Sequence, residues 1–394
     1  MFHRTRYWTR ENDGRIRCDL CPRACKLRNG QLGLCFNRAA VNGEIVLTTY
    51  GQSSGFCIDP IEKKPLNHFL PGTPILSLGS VGCNLTCKFC QNWSISKGQE
   101  DLLKALTESA NRSSNVFEQL LDNEIGRDRI VALAGIETDP GRLLSPASPK
   151  LIAKAAAQTN CRSVAFTYND PVIFHEYVID TAKACHARGL KTVAVTAGYI
   201  CPEPRREFFA HMDAANVDLK AFTEDFYHRL CTATLADTLD TLKYLIHETD
   251  VWVETTTLLI PGENDSAEEI DAMTRWVVAE LGPDMPMHFS AFHPDWKMRD
   301  KPRTPHASLI RARDIALANG VRHAYVGNVH DLERESTYCH QCGTRLVGRD
   351  WYVLSSWNLD PQGRCLACKA ACAGVFNGPP GDWGAKRVPL RLSH

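Results

Sequence analysis

Between residues 75 and 328, short apolar, β-branched runs alternate with stretches patterned for helices, which predicts repeated βα units and a parallel sheet. The runs that read as strands are Ile75–Val81, Ser163–Tyr168, Thr192–Ala197, Asn216–Leu219, Val251–Ile260, Met287–Phe292 and Ala324–Val326. From the second onward they begin 24–37 residues apart, room for one crossover helix each. Two of the intervening helices carry their own boundary signals. Pro149–Gln158 follows a Ser148 N-cap and has proline at its first position, and Pro171–Arg188 is stopped by Gly189.

The polar residues gather where strands end. Thr167-Tyr168-Asn169-Asp170-Pro171, Thr196-Ala197-Gly198, Asp218-Leu219-Lys220 and Ile260-Pro261-Gly262 all fall at the carboxyl ends, the rim on which βα barrels carry their chemistry. Two flanks break the repeat. Residues 1–74 hold a cysteine cluster followed by a Gly/Pro-rich passage, and residues 335–394 hold another cluster and a Pro/Gly-rich tail. Each is too small to build much core, so metal binding is expected to stabilise it. Residues 98–144, with a helical patch at Val116–Leu121 and an apolar run Ile130–Ile136, read as an insertion within a barrel spanning 75–334.

Composition narrows the class. Hydrophobic residues make up 44% and charged residues 23% of the 394, which excludes a disordered or fibrous chain. No apolar run approaches the ~18 residues of a membrane span, and the start carries no apolar leader, so a cytoplasmic protein with no membrane partner is expected. The 45 Lys+Arg balance the 45 Asp+Glu, which disfavours nucleic acid as a general partner. Residues 1–38 are a local exception, with nine basic and three acidic side chains.

The 17 cysteines change the picture most, because in a reducing compartment they do not make a disulfide framework. Twelve fall in three clusters, which means soft-metal or iron–sulfur chemistry. Cys57, Cys161, Cys185, Cys201 and Cys231 stand alone and read as small buried side chains. The strongest signal is Gly82-Cys83-Asn84-Leu85-Thr86-Cys87-Lys88-Phe89-Cys90, directly after the first strand. Its C-x3-C-x2-C spacing suits a [4Fe–4S] cluster with three protein ligands and one open iron.

These residues resemble the radical S-adenosylmethionine (SAM) superfamily, in which an aromatic residue precedes the third cysteine, as Phe89 does here. The resemblance implies a partial (β/α)6-type barrel in which SAM chelates the open iron. It further implies that an electron breaks the sulfonium bond, and that a 5′-deoxyadenosyl radical takes hydrogen from a substrate. Cys83, Cys87 and Cys90 are then the catalytic, cluster-binding residues. SAM contacts are assigned to Phe89, Tyr168, Asn169 and Asp170, in place of the family's Gly-Gly-Glu segment, and to Thr196, Asp218, Lys220, Ile260 and Gly262. The segments Cys18-Asp19-Leu20-Cys21-Pro22-Arg23-Ala24-Cys25, Asp59-Pro60-Ile61-Glu62-Lys63-Lys64-Pro65-Leu66-Asn67-His68-Phe69, Cys90-Gln91-Asn92-Trp93 and Phe292-His293-Pro294-Asp295 look more narrowly like the radical SAM component of the AmmeMemoRadiSam system. That group is related to pyruvate formate-lyase activating enzyme. From this follow an expected protein or peptide substrate, a reduced ferredoxin or flavodoxin-type electron donor, and Memo-type and AMMECR-type partners.

Cys339-x2-Cys342 and Cys365-x2-Cys368 pair as two knuckles for one tetrahedral zinc or iron, with Cys372 left over. Cys18, Cys21, Cys25 and Cys35 leave open zinc, a second iron–sulfur cluster, and a mixture of ligands with reactive thiols. His68, in an apolar setting, reads as a hydrogen-bonded core histidine, and His293 as a residue at a strand end. A radical SAM enzyme acting on RNA or a small molecule, and a zinc-stabilised scaffold without catalysis, are the competing functional readings.

Overall fold

The computed structural model describes residues 2–97 and 144–392. The insertion expected at 98–144 therefore lies, apart from its last residue, outside the described residues. Among the described residues the main sheet has nine strands: β1 (Phe56–Pro60), β2 (Pro74–Leu78), β3 (Ser163–Phe166), β4 (Lys191–Thr196), β5 (Ala214–Asp218), β6 (Trp252–Leu259), β7 (Met287–Ala291), β8 (Ala324–Gly327) and β9 (Val388–Leu390). Its order is β8-β7-β6-β5-β4-β3-β2-β1-β9, and among the described residues the two edge strands do not pair, which leaves the sheet open.

Strands β2 to β8 run parallel, one more than a (β/α)6 barrel contains. Each matches one of the seven runs seen in the sequence. The antiparallel pair β9 and β1, contributed by the two flanks, extends the edge beside β2. Thus each cysteine-rich flank lends a strand to the common sheet.

The crossovers are α1 (Pro149–Gln158), α2 (His175–His186), α3 (Pro202–Phe209), α4 (Leu235–Glu248), α5 (Ala267–Leu281) and α6 (His306–Ala318). The Ser148 hydroxyl accepts from the Leu151 N–H at 3.2 Å, as its N-cap position requires. A turn of 3₁₀-helix, Pro171–Phe174, leads into α2, and Gly189 at φ +71° follows its end. Leu76, Leu78, Val164, Phe166 and Ala194 pack the helix-covered face. Ile75, Ala165, Val193 and Ala214, the alternate residues, face Ile61, Leu66 and Phe69 on the other side. That segment plugs the amino-terminal end of the sheet and leaves the carboxyl rim for the site. Among the described residues no helix is long and apolar enough to cross a membrane.

Candidate active site

The loop after β2 is held from several directions. Asn169, just beyond β3, donates through Nδ2 to the Gly82 carbonyl at 2.8 Å and accepts at Oδ1 from the Ser80 N–H at 3.2 Å. Asn84 donates to the Tyr199 carbonyl at 2.9 Å. The N–H groups of Thr86 and Lys88 donate to the carbonyls of Cys231 and Leu230 at 3.0 and 2.9 Å. Phe89 is buried with its ring centroid 5.6 Å from that of Phe226. Gly82 sits at φ +81°, and a Cβ there would stand 1.9 Å from the Cys35 carbonyl oxygen, so only glycine fits. The result is a fixed loop carrying Cys83, Cys87 and Cys90.

Burial pushes the Cys83 thiol up to about 12, with Asp170 and Cys87 adding to the rise and Lys97 opposing it. The Cys231 side chain and burial together raise Cys87 well above the usual thiol range, against the pull of Lys220. Burial also raises Cys90. Thiolates so enclosed need strong positive charge beside them, which iron supplies. Three such thiols on one loop fit a cluster that takes three protein ligands.

Across the rim Lys220 Nζ lies 2.7 Å from Asp218 Oδ2, as the alternation of β5 anticipates. The pair is half-buried: the Lys220 side chain is 13% and that of Asp218 35% exposed, and the charge of Lys220 is felt at Cys87 and Cys90. Asn264 donates to both the Lys220 and Leu258 carbonyls, and its Oδ1 accepts from the Ile260 N–H at 2.7 Å. One amide thereby ties the Ile260–Gly262 turn to Lys220.

The Asp170 carboxylate accepts from Val172 N–H, the Thr196 hydroxyl and Ala197 N–H, each at 3.0 Å. It caps the start of the 3₁₀ turn and joins the rims of β3 and β4, so its side chain positions the backbone around it. Tyr168 adopts φ +71°, and its phenol donates to Asp59 Oδ2 at 3.2 Å with Lys64 Nζ 5.0 Å above the ring. The structure therefore gathers Cys83, Cys87, Cys90, Asp170, Asp218 and Lys220 into one electrostatic neighbourhood, whereas the Tyr168 ring is engaged with Asp59 and Lys64.

Two distant motifs also meet here. Gln91 Nε2 is 2.9 Å from His293 Nδ1, and Trp93 Nε1 donates to Asp295 at 3.2 Å. Sequence reasoning missed Cys231. It is buried, as expected of an isolated cysteine, but its side chain stands against Cys87 at the end of one π-helical turn, Tyr227–Cys231. A lone cysteine without spacing partners carries no signal for this, and π turns have no simple sequence pattern.

At the carboxyl flank the four sulfurs of Cys339, Cys342, Cys365 and Cys368 lie within 4.8 Å of one another. Cys339 to Cys368 is 3.5 Å and Cys342 to Cys365 is 3.7 Å. One tetrahedral ion with metal–sulfur bonds of about 2.3 Å spaces its sulfurs about 3.8 Å apart, so this tetrad fits a single zinc or iron. Cys372 is buried apart from it, beside His68. Both ring nitrogens of His68 are engaged, Nδ1 with the Ala373 carbonyl at 2.7 Å and Nε2 with the Tyr325 hydroxyl at 2.5 Å, the geometry of a core histidine. At the amino flank Cys18, Cys21, Cys25 and Cys35 line one cavity.

A parallel sheet, open among the described residues, with a fixed three-cysteine loop on its carboxyl rim defines a βα-class protein with a candidate iron–sulfur site. Residues 78–276 match the model of the Radical SAM superfamily, and the chain belongs to that family. Membership implies a [4Fe–4S] cluster and SAM. An uncharacterized protein of Methanocaldococcus jannaschii is 35% identical over 363 residues, covering 92% of this chain and 96% of that protein. Among solved structures, a radical SAM methyltransferase from Sphaerobacter thermophilus is 15% identical with a TM-score of 0.44, covering 82% of this chain and 76% of that one. A domain of pyruvate-formate lyase-activating enzyme from Bacteroides vulgatus is 18% identical with a TM-score of 0.38, covering 42% of this chain and 99% of the domain.

Proposed function

We propose that this radical SAM enzyme abstracts hydrogen from a protein or peptide, in the manner of a glycyl-radical activase, within an AmmeMemoRadiSam-type system. The observation that carries the catalytic part is the half-buried Lys220–Asp218 pair, 2.7 Å apart, whose charges are felt at Cys87 on the rim of a sheet that is open among the described residues. When bound, the cluster and SAM supply reductive sulfonium cleavage and a carbon radical. Cys83, Cys87 and Cys90 hold the cluster, and Asn169 fixes the loop that presents them. Lys220 offers its ammonium group to the carboxylate of SAM, with Asp218 orienting it. The backbone carbonyls around Tyr168 are left to accept from the SAM amino group, because the Asp170 carboxylate is already satisfied. Thr196 and the Ile260–Gly262 turn border the nucleoside side. The open sheet supports a macromolecular substrate, and balanced overall charge favours protein over nucleic acid.

The test is anaerobic incubation of reduced protein with SAM and candidate glycine-bearing peptides carrying deuterium at the α-carbon. Deuterium appearing in 5′-deoxyadenosine is the expected result. Release of 5′-deoxyadenosine that carries label from no peptide, but that responds to RNA or a small molecule, would replace the substrate reading.

A further inference from the structure

The cysteines of the two flanks are spaced differently. The carboxyl tetrad is tight enough for one ion, whereas at the amino flank no three of the sulfurs of Cys18, Cys21, Cys25 and Cys35 lie mutually within 4.8 Å among the described residues. The same is true of Cys83, Cys87 and Cys90, the triplet of the family's cubane. Thiolates on separate corners of a cubane stand farther apart than four thiolates on one ion, because each reaches outward from its own iron.

The four amino-flank thiols nevertheless surround a common space. Cys18 ends a short strand, Ile16–Cys18, and its N–H donates to the Cys25 carbonyl at 2.9 Å across the turn that carries Cys21. Cys35 comes from a separate segment and meets Cys25 at Gly33, where a Cβ would lie 3.8 Å from one sulfur and 3.9 Å from the other. All four line the same cavity, with Arg38 and Asn84 in its wall.

Arg38 supplies a second, independent observation. Its terminal nitrogens grip Glu176 at 2.5 and 3.3 Å, yet its Nε–H is buried with no acceptor, although the residue is only 1% exposed. A buried donor left unpaired is costly, and sulfur of an iron–sulfur cluster accepts such a bond while the guanidinium offsets the cluster's negative charge. We propose that Cys18, Cys21, Cys25 and Cys35 hold a second [4Fe–4S] cluster, with every iron bound by a protein thiolate. It stands next to the SAM site: Asn84, neighbour of Cys83, is in its wall, and the Cys35 carbonyl presses on Gly82. With no open iron, this cluster does not bind SAM.

The experiment uses the full chain carrying Cys83→Ala, Cys87→Ala and Cys90→Ala, reconstituted without oxygen with ferrous iron and sulfide. About four irons and about four acid-labile sulfides per chain are expected to remain, with an EPR signal that SAM does not alter. Adding Cys21→Ala and Cys25→Ala is expected to remove that sulfide. A triple variant without labile sulfide, one holding zinc at these four cysteines, or sulfide that survives the added substitutions would overturn the proposal. Because the SAM-site cysteines are already gone, the outcome is independent of the function proposed above.

Discussion

Asn169 donates to the Gly82 carbonyl at 2.8 Å, joining the end of β3 to the residue just before Cys83, the first cysteine of the loop. The same side chain accepts from Ser80, so a single amide sets the conformation of the turn that launches the loop. Replacing it with alanine leaves buried Gly82 and Ser80 groups unpaired, a cost of about 1–3 kcal/mol. Asn169→Ala is therefore expected to retain the fold, bind less iron per chain and form 5′-deoxyadenosine more slowly. Iron analysis alongside a thermal melt checks this.

Lys220 is expected to matter for SAM and not for iron. A charge-assisted hydrogen bond contributes about 1.5–3 kcal/mol, so Lys220→Met should weaken SAM binding by roughly 10- to 100-fold. Iron and sulfide content should stay at the wild-type level. SAM titration followed by EPR separates the two quantities, and a parallel loss of iron would assign Lys220 to loop stability instead.

The carboxyl tetrad closes a small core that includes Leu346, Val347, Leu359 and Phe376. With so little apolar burial, a metal ion held by the four thiolates would be the main cross-link. Cys339→Ser is expected to release one metal ion per chain and lower Tm by several degrees, while the SAM-sensitive EPR signal persists. Metal analysis and calorimetry on the same sample read both effects.

Glu62 gives a pH prediction. Burial raises its carboxyl from 4.5 to about 7, although Oε1 accepts from the Gly72 N–H at 2.6 Å. The folded chain thus binds the proton more tightly than the unfolded one. This contribution is fully present below pH 4.5 and is lost as pH rises through 7. Glu62→Gln keeps the neutral shape, so it should raise stability by up to about 3 kcal/mol at pH 8 and have little effect near pH 4.5. Denaturant melts at the two pH values test the sign.

The parallel strands were legible because each is a β-branched run bounded by turn residues, and α1 was legible from Ser148 and Pro149 alone. The three-cysteine loop was legible from spacing. What the sequence hid was long-range pairing. Nothing local says that Cys231 stands against Cys87, that Gln91 meets His293 202 residues away, or that Val388–Leu390 joins the sheet beside β1. Sequence assigned Asp170 only as a SAM contact, because the bonds of its carboxylate to Thr196 and Ala197 depend on β4 lying beside β3. The C-x2-C pairs of the carboxyl tetrad were legible as one metal site, whereas the C-x2-C-x3-C-x9-C run of the amino flank left its metal open, and only the tetrad's sulfurs all lie within 4.8 Å of one another.

The most direct measurement is EPR of the anaerobically reduced protein with and without SAM, compared with the Cys83→Ala, Cys87→Ala, Cys90→Ala variant. The expected result is a [4Fe–4S] component that changes on adding SAM and that disappears in the variant. A spectrum that SAM leaves unchanged in the wild-type protein, or a SAM-sensitive component that survives loss of all three cysteines, would contradict the assignment of this loop as the site of chemistry.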